Sequence, residues 1–169
     1  MKYSVEAKSR KDLRLLAHHI RDRLRLKPSD AFPAVEMLEL LDIWVPDAFF
    51  EIVEEDELGK GAHAETEITK SIIRIREDIY DRACAGNGRD RMTVVHEIAH
   101  LIMLRGLGFR LTRSFRDKVK AYSDPEWQAK CLAGELMMDS RYIAGMTSAE
   151  VARKCGVSEE AAKLQLSKI

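Results

Sequence analysis

Two histidines and a glutamate stand inside one otherwise apolar stretch, residues 90–104, DRMTVVHEIAHLIML. His96 and His100 are four residues apart, so on a helix they share a face one turn apart, and Glu97 directly follows the first of them. Two imidazoles at that spacing can grip one zinc ion, while the glutamate between them takes a proton from the water that the ion activates. Val94, Val95, Ile98, Ala99, Leu101, Ile102 and Met103 surround the three groups, so the helix is expected to be buried over most of its circumference. Polar groups placed there without a metal or partners would cost on the order of several kcal/mol in lost hydration.

A catalytic zinc usually takes three protein ligands and keeps a fourth position for water, so a further donor has to come from elsewhere in the chain. Past the glycine-punctuated loop RGLGFRLTRSF (105–115), the stretch SDPEWQAKCLAGELMMD (123–139) begins a second helix, with Asp124 as its cap and Pro125 at its first position. Glu126 lies in the first turn. There its carboxylate can reach the ion if the two helices pack side by side, or it can simply complement the positive end of its own helix. Spacing alone leaves both open.

The elements around this pair follow from periodicity. Residues 8–26 carry Leu13, Leu16, Ala17, Ile20 and Leu24 at helical spacing, with arginines and lysines opposite. His18 and His19 within that helix point about 100° apart and are read as surface or boundary residues. After the turn formers KPSDAFP (27–33), AVEMLELLDIW (34–44) reads as a short helix ending near Asp42. DAFFEIVE (47–54) and ETEITKSIIRIRE (65–77) have strand character, the latter as a hairpin or pair of short strands. NGR (87–89) marks a turn, and helical periodicity holds beyond it. Helices, a small sheet and more helices make an α+β pattern. One domain is expected, with N-terminal helices over 1–46, a small sheet over 47–77, the histidine helix over 90–104, a second site helix over 124–139 and a helical hairpin over 147–169.

Composition narrows the partners. Lysine plus arginine (28) equals aspartate plus glutamate (28), which gives no basic footprint for nucleic acid or an anionic membrane. No apolar run spans a bilayer and Met1 to Arg14 is too polar for a secretory signal, so a cytoplasmic location is expected. Cys84, Cys131 and Cys155 are widely spaced without a CxxC pair, and read as small thiols rather than a disulfide or metal knot.

RDRMTVVHEIAHLIM (89–103) resembles the RxRFTxAHELGHLLL block of the ImmA/IrrE family of metallopeptidases, and EWQAKCLAGELMMD (126–139) resembles that family's ExxAN/DxFAAxLLMP block. With IIRIREDIYDRACAGNG upstream and VARKCGVSEEAAKLQLSKI at the end, the likeness covers roughly residues 30–169. It implies a zincin-like α+β fold with a small sheet, a buried HExxH helix and further C-terminal helices. It also implies His96, His100 and Glu126 as ligands of zinc (or manganese) and Glu97 as general base. The activity implied is hydrolysis of a peptide bond in a protein substrate, a helix-turn-helix repressor of a mobile element or stress response. No membrane or direct nucleic-acid partner is implied. Lys130 departs from the pattern, standing where the family carries an asparagine or aspartate that could orient a ligating imidazole; Asp124 and Asp139 are possible substitutes. Met92, Leu132 and Asp139 also depart, the first two keeping apolar character.

Tyr122, Tyr142 and His63 are the candidates for stabilising an oxyanion, and residues 65–76 are the candidate edge for an extended peptide. Two other classes compete. A non-catalytic partner could bind a repressor without cutting it. A DNA-binding regulator could use SAEVARKCGVSEEAAKLQLSKI (148–169), two helical stretches around GVS, although Glu150, Glu159 and Glu160 offset Lys154, Lys163 and Lys168.

Overall fold

The computed structural model describes residues 2–108, 112–114 and 119–169. Its first element is a short strand, β1 (Lys2–Ser4), which the helical reading of the N-terminal segment does not anticipate. Helix α1 (Arg10–Arg23) follows, started by a reciprocal cap in which the Ser9 hydroxyl accepts from the Asp12 amide and the Asp12 carboxylate accepts from the Ser9 amide. Leu13, Ala17 and Ile20 form its buried stripe. The next stretch divides into a 3₁₀ turn (Glu36–Leu40) and the single-turn α2 (Leu41–Trp44), running two residues beyond Asp42.

Strands β2 (Phe49–Val53), β3 (Ala64–Glu67) and β4 (Ile72–Arg76) make a sheet in the order β2-β4-β3. β4 runs parallel to β2 and antiparallel to β3, with Thr66 opposite Ile73. The central strand carries the burial: Ile73 and Ile75 are inaccessible, whereas β3 is only half-buried throughout. Only the first part of residues 65–76 is therefore a sheet edge, since β4 is paired on both sides.

Helix α3 (Glu77–Cys84) grows directly out of β4, over a stretch to which periodicity assigns no element beyond Glu77. The Asn87 side chain then accepts from the Asp90 amide and starts α4 (Gly88–Leu101), two residues earlier than periodicity alone marks. Glycine is needed at 88, because a Cβ there would lie 2.5 Å from the Val157 carbonyl carbon. The last apolar residues leave the α-helical ladder in a π turn, Ile102–Gly106. Of the loop 105–115, residues 109–111 and 115 lie outside the described residues; β5 (Thr112–Ser114) pairs antiparallel with β1.

Helix α5 (Pro125–Met137) packs against both α1 and α4. The chain ends in α6 (Ser140–Ile143), α7 (Ser148–Cys155) and α8 (Glu159–Leu166). The turn between α7 and α8, around left-handed Gly156, is docked on the core: Arg91 of α4 donates to the Gly156 carbonyl (2.9 Å) and to the Phe32 carbonyl (2.7 Å). The hairpin thus buttresses the start of the histidine helix. The architecture is α+β, consistent with a zincin-like fold. Among the described residues no helix is long and apolar enough to cross a membrane.

Candidate metal centre

Helix α4 is held in the core by Val94, Val95, Ile98, Ala99 and Leu101, all inaccessible, which fixes the face on which His96 and His100 lie. His100 is buried and His96 half-buried. Their partner comes from the first turn of α5. The Asp124 carboxylate accepts from the Glu126 amide at 2.9 Å and Pro125 occupies the first helical position, so the helix starts where sequence places it. Ala129 and Ala133 lie three and seven residues on, on the Glu126 face, and both are fully buried; small side chains there let α5 approach α4 closely.

The approach brings one oxygen of Glu126 to 3.0 Å from His100 Nε2 and the other to 3.3 Å from His96 Nε2, while the two Nε2 atoms lie 3.2 Å apart. Donors on a tetrahedral zinc, each about 2.0–2.1 Å from it, are about 3.3 Å from one another, so these separations are close to the edges of such a site. His96, His100 and Glu126 are thus positioned to hold a metal ion, their ligand atoms all within 4.8 Å of one another. Hydrogen bonds from His100 and then His96 hold the Glu126 carboxyl well below the usual carboxylate range, outweighing the effect of burial. It is kept ionised, as a ligand must be.

The N-terminal segment splints the arm that carries Glu126. Val5 donates to the Ser123 carbonyl and Lys8 to the Tyr122 carbonyl, at 2.9 and 2.8 Å. Gln128, fully buried one turn into α5, donates through Nε2 to the carbonyls of Glu6 (2.8 Å) and Tyr122 (2.7 Å). Tyr3 of the same segment lines the cleft of about 460 Å³ that opens on His96, Glu97, His100 and Glu126. β3 forms another wall, and from it the Thr66 hydroxyl donates to Glu97 Oε2 at 2.6 Å.

The profile of the IrrE N-terminal-like domain, peptidase family M78, matches residues 52–167, well over half of the chain. The chain belongs to this family. The M78 match takes in all of α4 and α5, and with them the whole donor group, but begins at Ile52, so β1, α1 and the splint lie outside it. No curated protein and no solved structure matches the chain. Family and donor group together define a metallopeptidase-type domain with a site positioned for a metal ion.

The other sequence candidates fall elsewhere. Tyr122 lines a separate apolar hollow with Trp127 and Arg10, Tyr142 lies under the Lys154 ammonium, and His63 is exposed. Lys130 is exposed, while Asp124 is occupied in capping α5. Asp139 is bound to Arg21 and Arg141 at the far end of α5, about 20 Å along the helix from Glu126. Neither stands in for an acceptor on the imidazoles. His18 lies 3.1 Å from the Ser140 hydroxyl and 3.4 Å from Asp139, apart from the metal group. Tyr3 and Thr66 escape a reading of sequence because only the packing of β1 and β3 against the cleft brings them to it.

Proposed function

We propose that this M78 protein is a zinc-dependent endopeptidase that hydrolyses a peptide bond in a protein substrate, a helix-turn-helix repressor of a mobile element or stress response. His96, His100 and Glu126 would hold the ion. When bound, it would polarise the scissile carbonyl and lower the pKa of water in the cleft. Glu97 is the base: it takes a proton from the water that adds to the carbonyl carbon and passes it to the nitrogen as the C–N bond breaks. The β3 edge receives the substrate in extended form, its main chain continuing the sheet. One observation carries this reading: three metal-competent donors and a further carboxylate converge in a single cleft walled by β3, the edge strand of its sheet among the described residues. Zinc suits the nitrogen and oxygen donors, as does manganese. The choice of a repressor rests on the resemblance to ImmA/IrrE proteins.

The test is to incubate the zinc-loaded chain with helix-turn-helix regulators and with a proteome-derived peptide library, reading fragments by mass spectrometry. Cleavage by the wild type, abolished by chelation and in Glu97→Gln, is the expected result. Tight capture of a regulator with no fragment over long incubation would instead indicate a binding partner that does not cut.

A further inference from the structure

Strand β3 presents its side chains alternately to two sides, and the two sides have different work. Glu65 and Glu67 both accept from Arg74 Nη1, at 3.4 and 3.1 Å, so they share one face of the sheet. By the two-residue period of a strand, Thr66 between them faces the other way, toward α4. There its hydroxyl meets Glu97 twice, donating to the carboxylate Oε2 at 2.6 Å with the Glu97 carbonyl at 3.2 Å. One hydroxyl carries one proton, and the shorter, charge-assisted contact takes it.

Glu97 is nearly buried, and a carboxylate there has several rotamers to choose among as well as a hydration shell to replace. The Thr66 hydroxyl supplies a donor to one oxygen only. A β-branched side chain on a strand has few χ1 rotamers, so the donor is itself held in place. From this geometry we infer that Thr66 is a positioning residue for the peptidase: it pins Glu97 through Oε2 and leaves Oε1 to accept the proton in the cleft. The inference rests on the endopeptidase reading of Glu97 and extends it to the strand that would bind substrate. Because Thr66 sits on the β3 edge, a peptide that pairs with this edge bears on the residue that aims the base. Misalignment would appear in the chemical step and not in substrate binding.

The test uses the full chain with Thr66→Val, which keeps the shape and removes the hydroxyl, and Thr66→Ser, which keeps the hydroxyl. On the library peptide that the wild type cuts best, Thr66→Val is expected to lower kcat about 10- to 100-fold, as lost orientation of a catalytic group does. KM should stay within about twofold, since binding is common to ground and transition states. Zinc affinity should not change, and Thr66→Ser should recover most of the lost kcat. A second readout needs no turnover. In the metal-free protein, unfolding of Thr66→Val, Glu97→Ala and the double variant should show non-additive effects, a coupling of about tenfold or more in the unfolding constant. Additive unfolding effects, an unchanged kcat, or a loss that serine does not recover would overturn the role of Thr66 while leaving the peptidase intact. A wild type that cuts nothing would overturn the peptidase reading itself, and the role with it.

Discussion

The two ends of α5 each carry carboxylates, and they are built on opposite terms. At the far end, Glu135 is inaccessible and accepts from Arg14 Nε and Nη2 at 3.0 and 3.1 Å, with Arg10 at 3.6 Å. Asp139, also buried, lies 3.2 Å from Arg21 and 2.6 Å from Arg141. At the near end Glu126 is 60% exposed and faces two imidazoles. Guanidinium groups never give up their protons in a protein, so a carboxylate clasped by them has its lone pairs permanently engaged. An imidazole can release a proton and offer the same nitrogen to an ion. A cluster of charged groups is thus not by its density a site; the kind of partner decides. The arginine end ties α1 to α5, and the imidazole end remains open to a ligand.

Glu97→Gln should give the largest effect, a fall in turnover of about 10²- to 10⁴-fold with metal content unchanged, measured by peptide cleavage alongside elemental analysis. At the other end Asp139→Ala leaves Arg21 buried without its counter-charge. This should cost about 3–5 kcal/mol in urea unfolding. Zinc affinity, measured well below the transition, should hold; if instead the ion is lost and stability stays, the division between the two ends is wrong.

Acid should separate them as well. Burial pushes the Asp139 carboxyl up, but hydrogen bonds from Arg141 and the neighbouring charges outweigh it and leave it below the usual aspartate range. Its folded pKa lies below its unfolded one, so its contribution is complete above about pH 4 and is lost as pH falls through the depressed value. Protons compete directly with the ion for the imidazoles and Glu126. Acid titration followed by circular dichroism and a zinc indicator should therefore show the ion leaving while the helices persist. The smallest effect is expected for Lys130→Asn. Being exposed, this residue should change stability by no more than about 0.5 kcal/mol. Metal binding that tightens by about 10- to 100-fold would mean that the lysine had displaced an acceptor orienting a histidine.

What sequence makes legible here is what short-range geometry controls. The spacing of His96 and His100, the cap at Asp124 with Pro125 behind it, and the 3.6-residue stripe of α1 each depend on neighbours within a turn or two, and the structure has them in place. The convergence of Glu126 with the imidazoles needs more, since two helices could start correctly and still cross at the wrong angle. It is helped by the buried alanines 129 and 133, whose importance appears only in the packing. Helix α3 is hidden because its apolar residues follow directly on the isoleucines of β4, with no breaker between strand and helix. The β1–β5 pair joins residues more than a hundred positions apart, which no local pattern records. Thr66 is the instructive case: the one threonine of a strand it shares with two glutamates, it acquires its contact from the packing of β3 against α4.

The claim on which the account turns is that one ion is held by two imidazoles of α4 and the carboxylate of α5. X-ray absorption at the zinc edge on the loaded chain measures that set directly. The expected result is one zinc per chain, with only nitrogen and oxygen donors at about 2.0–2.1 Å, two of them imidazoles, and a disrupted shell in Glu126→Ala. Sulfur donors at about 2.3 Å, or a shell unchanged in Glu126→Ala, would contradict it.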